Sequence, residues 1–146
     1  RSGPQMPTDM VPRRKIARVN GGEQRRSFTW VGDGIEGLMA IIRNEHNRGD
    51  NEIFNIGNPD NNYSIKETAE MLVEEAKKFP QFREAAEATE LDISPASVYY
   101  GKSYDDMQNR KPSVRKMESR FGWKPKTDMR ELLRRTIAWY AEEEAK

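Results

Sequence analysis

Short apolar runs with strand character alternate along this chain with longer segments of helical periodicity, and this alternation restricts the fold more than any other feature. The strand-like runs cover residues 16–19, 27–31, 52–56 and 91–93. Helical patterns separate them and account for more of the chain. The sequence therefore predicts a mixed, helix-rich α/β fold, with too few strands to build a doubly wound sheet of its own.

The first helical pattern follows Asp33, a residue type that favours the N-cap because its carboxylate accepts hydrogen bonds from free amides. Gly49 is expected to end this helix, since glycine readily adopts the left-handed conformation of a C-terminal cap. Apolar residues recur at helical spacing and predict an amphipathic helix, with Met39 in the core. These residues are Ile35, Leu38, Met39 and Ile42.

The later helices have clearer boundary signals. Ser64 and Glu67 match a capping box that opens a helix running to about Lys78. Further helices are predicted over residues 81–88, from Pro112 and Ser113 to a cap at Gly122, and from Asp128 onward. Trp30, Trp123 and Trp139 are interpreted as packing residues, and Asn55 and Asn58 as hydrogen-bonding partners of the backbone at a strand-to-turn corner.

The apolar fraction is low for a domain that folds on its own, since 35% of the 146 residues are apolar and 34% are charged. Such a chain is expected to have a large surface that is either hydrated or covered by a partner. Residues 1–15 are rich in proline and predict a loosely ordered arm, and residues 16–146 predict one lobe.

Several classes of site are not favoured by the sequence. There are no cysteines, and the single histidine, His46, lies in a polar run, so neither a disulfide nor a metal site is expected. No apolar run approaches the roughly 18–20 residues of a membrane span, and no signal-peptide pattern is present. The chain is therefore expected in a reducing cytoplasm.

Two basic segments stand out within a nearly neutral chain. Residues 1–26 carry seven Lys or Arg against two acids, and residues 109–126 carry seven against one. Either these are solvated faces, or they converge on a bound anion. Nucleic acid is not favoured as that anion, because interleaved aromatic residues and the signature of a nucleic-acid-binding fold are both missing.

The first basic segment ends in a glycine turn followed by arginines, Gly21-Gly22-Glu23-Gln24-Arg25-Arg26. Paired glycines let backbone amides come close to a ligand, and Arg26 supplies a guanidinium that can bind phosphate through two hydrogen bonds. The alternative is a β-turn with a surface arginine. The segment therefore indicates binding of a phosphorylated ligand. Residues 99–113 contain side chains that are suited to bind the same ligand.

Four segments together resemble the C-terminal, substrate-binding half of extended short-chain dehydrogenase/reductases (SDRs) that act on nucleotide sugars. They are residues 20–29 with 33–35, Ile53-Phe54-Asn55-Ile56-Gly57-Asn58-Pro59, Ser64-Ile65-Lys66-Glu67, and residues 99–106 leading to Asn109-Arg110-Lys111-Pro112-Ser113. This is the NAD-dependent epimerase/dehydratase family. The last two segments look most similar to its UDP-glucuronic acid decarboxylases, the group that includes the bifunctional polymyxin-resistance enzyme.

The resemblance implies roles for particular residues. Arg110 matches an arginine beside the sugar carboxylate, which orients that carboxylate or acts as the proton donor in decarboxylation; the alternative is an arginine that leads a helix. Tyr104 matches a tyrosine that contacts the nucleotide sugar; the alternative is an aromatic anchor of its loop. The resemblance also implies that one continuous segment surrounds the uridine and diphosphate of the substrate. Its residues are Ala17, Arg18, Val19, Asn20, Gly21, Gly22, Glu23, Gln24, Arg25 and Arg26.

Two parts of the family pattern are missing from this chain. It has neither the glycine-rich loop that binds the NAD pyrophosphate nor a Tyr-x-x-x-Lys pair. We therefore expect the chain alone to bind no cofactor and to be inactive, with NAD belonging to the parent enzyme. The expected partners are a UDP-sugar, UDP-glucuronate first, a Rossmann domain or partner chain, and a second copy in a homo-oligomer.

Three interpretations remain open at this point. The chain is the substrate-binding lobe of an extended SDR that lacks its N-terminal Rossmann cofactor domain, or a stand-alone nucleotide-sugar or anion-binding module, or an interaction protein derived from one. The first interpretation predicts an exposed apolar patch where a cofactor domain would dock.

Overall fold

In the computed structural model, residues 16–20, 22–94 and 107–144 are described. They form β1 (Ile16–Asn20), β2 (Arg25–Ser27), α1 (Val31–Arg43), β3 (Asn62–Ser64), α2 (Ile65–Ala76), α3 (Pro80–Glu87), β4 (Glu90–Ser94), β5 (Asn109–Arg110), α4 (Arg115–Phe121) and α5 (Met129–Glu144). The mixed, helix-rich α/β class is confirmed. The expected arm at residues 1–15, Gly21 and Tyr104 lie outside the described residues.

The chain falls into two compact units. Among the described residues, the first comprises residues 16–20, 22–24, 64–94, 107–108 and 133–144, and the second comprises residues 25–63 and 109–132. In the first unit β1 pairs in parallel with β4, and α2 packs on both strands and on α3. Its buried apolar residues are Ala69, Leu72, Ala76, Phe82, Ala86, Leu133, Ile137 and Ala141.

The predicted capping box begins α2. The amide of Glu67 donates to Ser64 Oγ at 3.0 Å, and the amide of Ser64 donates to Glu67 Oε2 at 2.7 Å. These two bonds satisfy main-chain donors that a helix start otherwise leaves unpaired. The helix predicted over residues 81–88 and the strand predicted over residues 91–93 are also confirmed, as α3 and β4.

The second unit contains a three-stranded sheet in the order β3-β2-β5, with β2 and β5 parallel. Its core cluster consists of Val114, Met117 and Trp123, as the packing interpretation of Trp123 predicts. Half-buried residues complete this cluster: Ala40, Ile41, Phe54, Ile56 and Phe121. The ring centroids of Phe54 and Phe121 are 5.2 Å apart in an edge-to-face arrangement.

Two predictions at the start of α1 are wrong. A strand was predicted over residues 27–31, but the strand in this region is β2 (Arg25–Ser27). The helix already begins at Val31, because the amide of Gly34 donates to the carbonyl of Trp30. Asp33 lies inside the first turn and does not cap it. Its carboxylate is used elsewhere, because it accepts the amides of Lys126 at 3.1 Å and Thr127 at 2.9 Å and the Thr127 hydroxyl at 3.1 Å.

The face that α1 buries differs from the predicted one. Gly37 is buried, and a Cβ built there would lie 2.9 Å from Trp123 Cε2, so the tryptophan packs directly on the helix backbone. Met39, expected in the core, is exposed together with the rest of the predicted stripe. Asn44, in the left-handed conformation with φ of 43°, caps the helix where Gly49 was expected to end it.

Three further predictions need correction. Residues 52–56 form no strand in the part of the chain that the structure describes. Pro112 precedes α4 without starting it, since Val114 holds the N-cap position, whereas the cap at Gly122 is confirmed with φ of 65°. Trp139 was predicted to be a packing residue, but it is exposed. Its ring contacts that of Tyr140 in an edge-to-face arrangement.

The amide side chains near the turn after residue 56 bond to backbone, as predicted. Asn58 Nδ2 donates to the carbonyl of Thr127 at 3.0 Å, and Asn55 Nδ2 donates to the carbonyl of Ser113 at 3.4 Å. Asn61 Nδ2 makes a second 3.0 Å bond to the Thr127 carbonyl. Asn58 and Asn61 thus bind the carbonyl of Thr127, while Asp33 accepts its amide.

Candidate anion-binding site

The sheet of the second unit brings together two arginines that the sequence marked as ligand contacts. In the parallel register of β2 and β5, Arg25 pairs with Asn109 and Arg26 pairs with Arg110. Directly paired residues on neighbouring parallel strands have their Cβ atoms on the same face of the sheet, with the strands about 4.8 Å apart. Two cationic side chains therefore start from adjacent positions on one face.

Asn62 of β3 holds the strands that carry these arginines. Its Nδ2 donates to Ser27 Oγ at 3.1 Å, to Asn109 Oδ1 at 3.0 Å and to the Arg110 carbonyl at 3.4 Å. Ser27 Oγ in turn donates to the same Arg110 carbonyl at 3.2 Å. One side-chain amide thus links all three strands, and it fixes the backbone of Arg110 next to β2.

The two consecutive arginines of β2 have different environments, as expected for neighbours whose side chains leave a strand on opposite faces. Arg25 Nε donates to Asn62 Oδ1 at 3.1 Å, and its terminal nitrogen donates to the Asn62 carbonyl at 2.6 Å. Arg26 donates to the Arg25 carbonyl at 2.8 Å and is half-buried, whereas Arg110 is exposed. Both of these Arg25 contacts are with Asn62. The roles of Arg25, Arg26 and Arg110 toward a ligand stay predictions.

The glycine turn has a structural task within the first unit. Gly22 is buried with φ of 89°, a conformation that residues with a Cβ rarely adopt. Its carbonyl accepts the amide of Lys66 at 3.1 Å, and the carbonyl of Gln24 accepts the amide of Ile65 at 3.2 Å. These bonds satisfy two amides at the start of α2. The turn is therefore fixed to the start of α2 by these two hydrogen bonds. Glu23, between Gly22 and Gln24, is exposed.

The upstream part of the predicted uridine segment lies in β1. The backbone of Ala17, Arg18, Val19 and Asn20 pairs in register with residues 91–94 of β4. Their roles toward a ligand stay predictions, as do those of Gly21 and Tyr104, which lie outside the described residues.

Sequence reasoning missed Asn62, Ser27 and Asn109 as residues of this site. The signal available for Asn62 was weak, because an asparagine after the Pro59-Asp60 turn suits the turn itself. Its function in linking strands depends on the pairing of β2 with β5, which brings residues 83 positions apart in sequence into contact.

A second charged cluster lies on the surface of the same unit. Glu52 accepts hydrogen bonds from Lys116 Nζ and, at 3.3 Å, from Arg120. The hydrogen bond and charge of Lys116 lower the pKa of Glu52 below its ordinary value, and Arg120 adds a smaller effect in the same direction. In this cluster both cations already bind the Glu52 carboxylate.

Binding of a metal, of a dinucleotide and of a membrane each requires particular features of the described residues. No group of three or more metal-ligating side chains converges among them. The loop between β2 and α1 is Phe28-Thr29-Trp30, which lacks the glycines that let a strand-to-helix turn approach a pyrophosphate. Helices in this part of the chain are too short or too polar to cross a bilayer.

Comparison with known proteins supports the resemblance seen in the motifs. The sequence model of the family described as GDP-mannose 4,6 dehydratase matches residues 8–136. The crystal structure of PbgP3 protein from Burkholderia pseudomallei aligns over 97% of this chain and 38% of its own, with 31% identity and a TM-score of 0.81.

Two more distant structures share the fold. dTDP-glucose 4,6-dehydratase from Bacillus anthracis, in complex with NAD, is 21% identical over 97% of this chain and 39% of its own, with a TM-score of 0.69. RMD from Pseudomonas aeruginosa, complexed with NADPH, is 16% identical over 95% of this chain and 40% of its own, with a TM-score of 0.66. The chain thus spans about two fifths of the length of the structures it matches. It belongs to the NAD-dependent epimerase/dehydratase family of extended short-chain dehydrogenase/reductases.

Proposed function

We propose that this chain is the nucleotide-sugar-binding portion of an NAD-dependent enzyme that acts on a UDP-sugar, with UDP-glucuronate as the substrate and decarboxylation as the reaction. The single observation that carries the proposal is the register pairing of Arg26 with Arg110. Family membership supports the class of ligand, and the match of residues 99–113 to the decarboxylases supports the sugar.

The arginine pair favours an anion because of the chemistry of its side chains. Both are cations, and the planar fork of arginine suits phosphate and carboxylate, to which it can donate two hydrogen bonds. A UDP-uronic acid carries both groups in one molecule. We assign Arg26 to the diphosphate and Arg110 to the sugar carboxylate.

Arg110 is proposed to act on the carboxylate by charge and hydrogen bonding. The pKa of a guanidinium exceeds about 12, so it is a poor proton donor near neutral pH. It is well suited to hold the carboxylate in one orientation and to stabilise negative charge that develops nearby. Orientation is therefore the favoured role, and proton donation is the alternative.

NAD is proposed to bind a part of the enzyme other than this chain. The cofactor accepts and returns a hydride in this family, and the β2–α1 loop lacks the glycines that let a strand-to-helix turn approach its pyrophosphate. We further propose that the enzyme functions in the cytoplasm and as a homo-oligomer.

Thermal unfolding tests the proposed binding role directly. The chain is melted with and without millimolar UDP and UDP-glucuronate, and a ligand that binds only the folded state raises the melting temperature. Arg26→Ala is expected to weaken both ligands by about ten-fold to a hundred-fold, since a charge-assisted hydrogen bond contributes about 1.5–3 kcal/mol. Arg110→Ala is expected to weaken UDP-glucuronate by a similar factor and UDP much less. Lys111→Ala, next to Arg110 and also exposed, is the matched control and should change neither.

The outcomes separate the proposed function from its alternatives. Equal weakening of UDP and UDP-glucuronate by Arg110→Ala would reject the assignment of Arg110 to the carboxylate. Binding of UDP without any preference for the uronic acid would indicate a general anion-binding or nucleotide-binding module. A chain that melts cooperatively and ignores both ligands would contradict a preformed site and favour a role in protein interaction.

A further inference from the structure

A series of hydrogen bonds with a single direction crosses the three strands of the second unit. Arg25 Nε donates to Asn62 Oδ1 at 3.1 Å, and Asn62 Nδ2 donates to Ser27 Oγ at 3.1 Å. Ser27 Oγ donates in turn to the carbonyl of Arg110 at 3.2 Å. These four residues form what we call the Asn62 relay. It begins at a cation and ends at the main chain of the residue assigned to the sugar carboxylate.

The direction of the Asn62 relay follows from its first member. A guanidinium has donors and no acceptor, so the side-chain oxygen of Asn62 faces Arg25 and the NH₂ group faces away from it. On that other side the NH₂ group meets Ser27 Oγ, Asn109 Oδ1 at 3.0 Å and the Arg110 carbonyl at 3.4 Å. A charge-assisted hydrogen bond is stronger than a neutral one, and successive bonds polarise one another. Arg25 thus holds the amide in the orientation that binds β5.

Strand β5 depends strongly on such side-chain bonds. It consists of Asn109 and Arg110, and both residues are exposed. A strand of two residues has few main-chain hydrogen bonds with which to hold its register. Asn62 binds both of its residues, one through a side-chain oxygen and the other through a carbonyl. The position of the Arg110 main chain beside β2 is therefore sensitive to the side chain of Asn62.

Strand β2 is held to its other neighbour in a different way. The amide of Phe28 donates to the carbonyl of Asn61 at 3.0 Å, and the terminal nitrogen of Arg25 donates to the carbonyl of Asn62 at 2.6 Å. Neither bond uses the side chain at position 62. Removal of that side chain is therefore expected to loosen β5 while β2 stays in place.

We infer that Asn62 is a positioning residue for Arg110, and that it sets the preference of this site for a UDP-uronic acid over UDP. Arg25 orients the amide, and Ser27 connects it to the Arg110 carbonyl. The inference rests on the proposed function in one respect, namely that Arg110 binds the sugar carboxylate while Arg26 binds the diphosphate. A displaced Arg110 then weakens the contact with the carboxylate and leaves the contact with the diphosphate intact.

Calorimetric titration of the protein with UDP and with UDP-glucuronate measures this preference. Asn62→Ala is expected to weaken UDP-glucuronate by about three-fold to ten-fold, as for loss of a neutral hydrogen bond, and UDP by less than about two-fold. Ser27→Ala should act in the same direction, whereas Ser27→Thr retains the hydroxyl and should preserve the preference. The matched control is Asn55→Ala, which removes an exposed amide that bonds to the Ser113 carbonyl outside the relay and should change neither affinity.

Double substitutions distinguish positioning from a general loss of structure. If Asn62 acts through Arg110, Asn62→Ala has almost no further effect on UDP-glucuronate affinity in a protein that already carries Arg110→Ala. Substitutions that act independently would instead multiply their effects on the dissociation constant. The melting temperature does not make this distinction, because loss of any structural contact lowers it.

Each outcome either supports or overturns the inference. Equal weakening of UDP and UDP-glucuronate by Asn62→Ala, or multiplied effects in the double variant, would overturn it. If Asn62→Ala does not fold, Ser27→Ala decides by the same two criteria. A parent protein that prefers UDP-glucuronate, with Asn62 and Ser27 variants that keep the full preference, would overturn this inference alone. A parent protein that binds neither ligand would contradict the proposed function, and this inference with it.

Discussion

Replacement of Asp33 provides the sharpest test of what holds the second unit together. The carboxylate is buried and accepts three hydrogen bonds, two from the amides of Lys126 and Thr127 and one from the Thr127 hydroxyl. Hydrogen bonds to charged groups contribute about 1.5–3 kcal/mol each, and their effects are not additive. Since the hydroxyl can find another partner, we expect Asp33→Ala to reduce the free energy of unfolding by about 3–5 kcal/mol. Domains of this size have about 5–15 kcal/mol in total.

Asp33→Asn separates the acceptor geometry from the loss of packing. Its one carbonyl oxygen can occupy the Oδ2 position, which accepts both amides, while its NH₂ group donates to the Thr127 hydroxyl. The expected loss is therefore only about 1–2 kcal/mol, the difference between a charged and a neutral acceptor.

Urea unfolding followed by tryptophan fluorescence and circular dichroism measures these changes. The fluorescence is informative because Trp123 Nε1 donates to the Asp33 carbonyl at 3.1 Å. The control is Asp60→Ala, at an exposed acid, which should stay within about 0.5 kcal/mol of the parent. The reasoning fails if Asp33→Ala costs less than about 1 kcal/mol, or if the alanine and asparagine variants are equally destabilised.

Two further predictions concern local contacts. Ser64→Ala is expected to reduce the free energy of unfolding by about 1 kcal/mol, because the capping box is lost. The control is Ser119→Ala on the exposed face of α4, which should have no comparable effect. Equal effects of the two substitutions in denaturant titrations would contradict this prediction. Lys116→Gln is expected to raise the pKa of Glu52 toward its ordinary value, measured by NMR titration of the carboxyl carbon. Because the pKa of Glu52 is lower in the folded state, its stabilising contribution is present above the unfolded pKa and fades as the pH falls through the folded pKa. An unchanged Glu52 pKa in the variant would show that Lys116 is not the cause.

Local signals predicted the boundaries of several elements correctly. The capping box at Ser64 and the cap at Gly122 depend on side-chain and backbone chemistry within a few residues, so the sequence alone contains their cause. The interpretation of Arg26 and Arg110 as anion-binding residues also depends on residue type, and it stays a prediction.

Predictions failed where distant residues compete for the same group. Asp33 has the right residue type for an N-cap, but the amides of Lys126 and Thr127 take its carboxylate, and these lie more than ninety positions away in sequence. Residues 52–56 have strand character, but a strand needs a partner, and none is assigned within the described residues.

The mixed α/β class and the family could be predicted from the sequence, because helical periodicity, helix caps and motif order depend on residues that are neighbours in the chain. Tertiary structure alone decided which side of α1 is buried, because Gly37 admits the Trp123 ring and leaves the larger apolar residues outside. It also decided that Arg26 stands beside Arg110, because strand register depends on contacts such as those of Asn62 that no local pattern encodes.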